Sequence, residues 1–110
     1  MNKVELMGRL VADPEISSYG KGKDRGTVAK YTLAVQRVGD SDNADFIPCT
    51  VFGGGADFAE KYLSKGMKIA VVGEINTSKY EDKEGQTRYS YSVIVREHYF
   101  CESKKDDKKR

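Results

Sequence analysis

The chain has 110 residues, 38% of them hydrophobic and 33% charged, which suits one domain with a small core and a solvated surface and excludes both a second folded domain and a disordered chain. The formal charge of +2 belongs wholly to residues 102–110, with five cations and three anions, while residues 1–101 carry 14 of each sign, so bulk charge is no argument for a polyanionic partner. Cys49 and Cys101 are too few for a disulfide framework and lack zinc-site spacing, so buried or half-buried thiols are expected; no apolar run suits a signal peptide or a membrane span, which points to the cytosol.

Residues 3–11 alternate Val4, Leu6 and Leu10 against Lys3, Glu5 and Arg9, the two-residue period of a half-buried strand, with Gly8 interrupting as a bulge or bend would. Pro14 lies in the stop that follows, and three glycines among charges in residues 17–26 predict a mobile loop. Residues 27–38 are β-branched and aromatic-rich, and Val28, Tyr31, Leu33 and Val35 predict a long strand with one phase change before a turn at 39–43.

Residues 45–53 form a third predicted strand in which Pro48, lacking an amide donor, needs an edge or bulge position. Phe46 and Phe52 are six apart and share one face if the strand is regular. Helical spacing of Phe58, Ala59, Tyr62 and Leu63 before Gly66 predicts a helix over 54–65. Strand composition returns over 67–80, a charged hairpin tip follows at 81–86, and Tyr89, Tyr91 and Val93 alternate in a fifth strand over 88–100.

Three strands, one short helix and two strands make an all-β chain in the order of an OB-fold, a five-stranded Greek-key β-barrel. The expected division is a domain over 1–101 and a charged, disordered tail over 102–110.

Several stretches then carry a family resemblance: Asn2-Lys3-Val4, Gly8-Arg9-Leu10, Asp13-Pro14-Glu15, Thr32-Leu33-Ala34-Val35, Asp45-Phe46-Ile47, Phe52-Gly53, Tyr62-Leu63-Ser64-Lys65-Gly66 and Gly85-Gln86-Thr87-Arg88-Tyr89. Together, in order from Asn2 to about Phe100, they resemble bacterial and phage single-stranded DNA-binding proteins. The resemblance implies sequence-independent coating of single-stranded DNA in replication, recombination and repair. It places aromatic stacking platforms at Phe46, Phe52 and Tyr80. Every base has a π-face, so stacking tolerates any sequence. The cations expected along the phosphates are Lys3, Arg9, Arg37, Lys65, Lys79 and Arg88, with Lys21, Lys23 and Arg25 as weaker candidates. A homotetramer is expected as well.

Three departures from the family pattern stand out. Val38-Gly39 replaces a common aromatic, and Glu74-Ile75-Asn76-Thr77-Ser78 replaces an Arg-rich run before Tyr80. The chain ends Lys-Lys-Asp-Asp-Lys-Lys-Arg where cellular members carry an acidic tip that recruits partners, which implies a truncated chain or a phage or mobile-element form.

Core packing competes with DNA contact for Phe46 and Phe52, whereas Tyr80 beside a charged tip is harder to bury. Tyr31, Tyr62, Tyr89 and Tyr91 read as core, helix-packing or subunit-interface residues, Tyr19 stays open, and the lone His98 reads as structural or surface. Gly53-Gly54-Gly55 lacks the Lys-Ser/Thr ending of a nucleotide loop. With no metal-ligand cluster, coenzyme fingerprint or nucleophile-base pair, no enzyme and no cofactor is expected. The alternative function is an OB-fold protein-interaction or replication-restart accessory module with weak or no DNA binding.

Overall fold

Alternating apolar residues form a closed wall in the computed structural model, which describes residues 1–102, the side chains of Asp24 and Ser41 excepted. The elements are β1 (Val4–Leu10), β2 (Glu15–Tyr19), a 3-10 turn (Gly22–Asp24), β3 (Gly26–Arg37), β4 (Asp40–Phe52), α1 (Gly54–Tyr62), β5 (Lys68–Glu81) and β6 (Thr87–Phe100). Strand order β1-β5-β6-β4-β3 returns to β1 through Arg9 opposite Ala34 and Leu10 opposite Leu33. All neighbours are antiparallel except β4 and β6, which meet in parallel at Cys49–Val93 and Thr50–Ile94. This closed five-stranded barrel with one short helix is an OB-fold.

The ring stays five-stranded because β1 and β2 are one interrupted strand. β1 pairs with β3 at Leu33 and Ala34, and β2 takes up the same partner from Lys30 to Gly26. Pro14, unable to donate to a ladder, lies in the break. Ser17, Ser18 and Tyr19 therefore belong to a strand, where the glycine-rich composition predicts loop; the cross-strand pairs with Val28, Thr27 and Gly26 outweigh that local signal.

Core residues come from every wall: Leu10, Ala29, Tyr31, Leu33, Cys49, Val51, Ile69, Val71, Val93 and Val95 are buried. β3 shows no phase change, since its odd positions Ala29, Tyr31 and Leu33 all face inward, and Val28 is covered on the opposite side. The predicted turn at 39–43 shrinks, because β4 starts at Asp40 and the register slips between Gln36 and Arg37. Pro48 lies opposite Thr32, whose carbonyl accepts the Val11 amide rather than one from β4. Its missing donor thus faces away from β3, and the register runs unbroken through Pro48 from Ala44 to Phe52.

α1 covers one end of the barrel with Ala56 and Ala59 and ends at Tyr62, three residues before the predicted stop. Leu63 is already extended and drops into the core, its amide still bonded to the Ala59 carbonyl. Gly8 is no bulge: the β1 register runs through it unbroken, and a Cβ there would stand 2.4 Å from the Ala34 carbonyl oxygen. Cys49 is buried, its thiol pushed up to about 12 by burial, whereas Cys101 is exposed, contrary to the expectation of two sheltered thiols. Glu102 is described and pairs with Arg9, and the rest of the predicted tail, 103–110, lies outside the described residues.

Candidate nucleic-acid interface

Residues directly opposite on neighbouring strands share a sheet face, so the register alone shows which side chains stand together. On β4, Ile47, Cys49 and Val51 point inward, leaving Phe46, Pro48, Thr50 and Phe52 outside. Phe46 lies opposite Ala34 and Phe52 opposite Val28. Thr50 lies opposite Ile94, which continues through Glu74 to the pairs Asn76–Ser92, Ser78–Ser90 and Tyr80–Arg88. Phe46, Phe52 and Tyr80 thus share one sheet surface running from the barrel wall up the β5–β6 hairpin. They are 62%, 48% and 54% exposed.

Tyr19 joins this surface from β2, its ring edge-on to Phe52 with centroids 5.8 Å apart. It also leans over Gly26, where a Cβ would stand 2.5 Å from the ring. The sequence left Tyr19 open because its loop-like surroundings concealed the strand that presents it. Between Phe46 and Phe52 the face holds a cleft of about 230 Å³, whose lining includes Glu15, Lys30, Thr32, Pro48 and Thr50. Lys30, opposite Thr50, is exposed on the same face, a cation that strand alternation alone does not single out.

The hairpin has a second side. Lys79 lies opposite Tyr89 and Thr77 opposite Tyr91, on the surface away from Tyr80. Tyr89 and Tyr91 are 74% and 53% exposed, so neither is core. Tyr31 is core, and Tyr62 packs on Phe58 at 5.1 Å between ring centroids while staying half exposed.

The predicted cations divide by position. Arg88 stands directly across from Tyr80, with its Nε donating to Asp82 Oδ2 at 2.8 Å. Asp82 Oδ1 also accepts the amides of Glu84 and Gln86, and these bonds hold its carboxyl below the usual carboxylate range. Arg37, at the end of β3, donates from Nε to Asp45 at 2.9 Å. Lys65 follows the helix, and its backbone amide donates to Asp13. Arg9 is on β1, which pairs with β3 and β5 and not with β4 or β6. Its guanidinium grips both oxygens of Glu102, at 3.1 and 2.7 Å, and donates to the Gly66 carbonyl. Lys3 precedes β1 beside Asn2, whose amide exchanges two hydrogen bonds with the Ile75 backbone. The structure therefore brings Arg88 to the aromatic face, sets Arg9 across Ala34 from Phe46, and leaves Lys79 on the far side of the hairpin.

His98 is structural. Its Nε2 lies 2.8 Å from the Tyr31 hydroxyl, its ring stacks on Phe58, and burial lowers its pKa. Among the described residues no group of His, Cys, Asp and Glu is arranged to hold a metal ion. Nor is any described helix long and apolar enough to cross a membrane.

A model of the single-strand binding protein family matches residues 1–101. A Clostridium perfringens protein named single-stranded DNA-binding protein is 43% identical over 104 residues, covering 94% of this chain and 67% of its own. A Staphylococcus aureus protein named single-stranded DNA-binding protein 1 is 40% identical over 112 residues, covering 97% and 69%. Single-stranded DNA-binding protein 2 of Clostridium acetobutylicum is 40% identical over 110 residues, covering 96% and 80%.

Proposed function

This chain belongs to the single-strand binding protein family, and from that premise we infer that it binds and protects single-stranded DNA without regard to sequence, in replication, recombination and repair. The observation that carries the reading is the exposed row of Phe46, Phe52 and Tyr80 on one sheet surface. Large rings left about half exposed along one face, with polar residues between them, offer separate platforms for bases. Bases stack on these rings, with Tyr19 as a fourth platform beside Phe52. Each stacked base contributes roughly 1–3 kcal/mol.

Phosphates run past Lys30 and Arg88 on the same face, with Arg9, Arg37 and Lys65 at its margins, and Lys3 and Lys79 serve strands that wrap further round the molecule. The step is binding, with no bond made or broken, and the working compartment is the cytosol. The interaction-module alternative has no observation in its favour.

The working unit is a homotetramer. Residues Val4–Gly8 of β1 pair with β5 on one edge only, since β3 engages β1 just at Arg9 and Leu10, and an open strand edge is a template for a second copy. The outer side of that wall exposes Met7 and Tyr99.

Titration with oligo-dT across a salt series, with light scattering on the same samples, tests both parts. The expected result is tight binding that weakens steeply with salt, with a slope of about −0.7 per phosphate engaged, by a particle four chains in mass. Absence of binding at low salt would refute the function, and a monomeric mass would refute the assembly.

A further inference from the structure

Glu74 to Ser78 hold no cation of their own, and the fold supplies one from the neighbouring strand. β6 carries a bulge beside them: Val95 lies opposite Gly73 and Glu97 opposite Val72, so Arg96 is the extra residue. Bulges re-aim a side chain at the cost of a broken ladder. This one is tightly held, because a Cβ on Gly73 would fall 2.0 Å from the Ile94 carbonyl oxygen.

The bulge turns Arg96 outward onto Glu74, and both nitrogens of the fork engage both carboxylate oxygens, Nε to Oε1 and Nη2 to Oε2, each at 2.9 Å. Glu74 is opposite Ile94, so the pair stands on the face that carries Thr50, Phe52 and Tyr80. Counting from Thr50 opposite Ile94 along the parallel strands, Phe52 and Arg96 are each two residues further on.

We propose, building on the DNA-binding reading above, that Arg96 is a phosphate-binding residue at the Phe52 end of the interface, and that Glu74 is an internal stand-in for the phosphate, displaced when DNA occupies the face. The two-pronged geometry that grips a carboxylate is the one a guanidinium uses for phosphate. The partners are 62% and 38% exposed, so their bond is made in high dielectric and is readily exchanged. Glu74 keeps the guanidinium aimed over the face in the free protein and sets how much affinity the exchange yields.

The test compares wild type, Arg96→Gln, Glu74→Gln and the double variant in oligo-dT titrations over a salt series. Arg96→Gln is expected to bind about fivefold more weakly at 0.1 M salt, with the salt slope reduced by about 0.7. Glu74→Gln is expected to bind about two- to fivefold more tightly, a gain that misfolding cannot produce. On the Arg96→Gln background the Glu74→Gln gain should largely vanish. An equal gain in both backgrounds would mean general charge removal and overturn the proposal, as would an unaffected Arg96→Gln. A wild type that ignores oligo-dT would overturn this inference and the functional reading together, whereas binding with inert variants overturns this inference alone.

Discussion

Tyr80 and Tyr89 lie on antiparallel strands near the tip of one hairpin, similarly solvated, yet they point to opposite sides. Period-two geometry separates their roles in a way composition cannot. Tyr80→Ala should weaken oligo-dT binding about 5- to 100-fold, the loss of one stacked base, with an unchanged far-ultraviolet spectrum. Tyr89→Ala should stay within about twofold of wild type in the same titration; a reversed ranking would put the strand on the other side of the hairpin. The face also explains why exposed aromatics coexist with a stable fold: the interior is closed by aliphatic residues such as Leu10, Leu33, Ile69 and Val71, and the outward rings are not needed to fill it.

At the scale of elements, the barrel closes where β1 crosses β3, and Gly8 is what permits the approach. Gly8→Ala would press a methyl against the Ala34 carbonyl at 2.4 Å. The expected cost is about 1–3 kcal/mol, read as a lower urea midpoint. Strand order, the helix and the aromatic spacing of β4 were legible in the sequence because alternation and helical periodicity report burial directly. Three things were not. β2 was hidden because Ser17, Ser18 and Tyr19 have no apolar alternation of their own and are strand only through their pairing with β3. Gly8 looked like a bulge because a missing side chain reads the same in sequence whether the cause is an extra residue or a close neighbour. Arg96 was passed over because its position depends on a bulge created by Gly73 on the partner strand, a relation between residues more than twenty apart. Conversely, Lys79 is the neighbour of Tyr80 on β5, and the two-residue period alone puts it on the opposite side of the hairpin.

Across the whole molecule, Tyr31 of β3, Phe58 of α1 and His98 of β6 tie the two sheet halves to the helix, with Phe100 packed on Phe58 at 5.6 Å between ring centroids. Burial lowers the His98 pKa below its ordinary 6.5, so on acidification the unfolded chain takes up the proton first. Stability from this site is complete above pH 6.5 and declines as pH falls below it. Thermal midpoints followed from pH 8 to pH 5 should drop for wild type, and His98→Gln should flatten that decline. Equal slopes would show that the imidazole is not the group responsible. The carboxylates held low by their arginines, Glu74, Asp82 and Glu102, have ordinary values of 4.5, 3.8 and 4.5 and contribute below this window.

The parallel contact of β4 with β6 spans only Cys49–Val93 and Thr50–Ile94, whereas the β5–β6 ladder runs from Ile69–Phe100 to Glu81–Thr87. The barrel is thus a cylinder with two short zippers, this one and the β1–β3 closure, and the aromatic platforms stand on both sides of this one, Phe46 and Phe52 on one bank and Tyr80 on the other. On the proposed path, a strand of DNA laces over that zipper, so oligo-dT is expected to raise the thermal midpoint of the protein: cargo and container would brace each other.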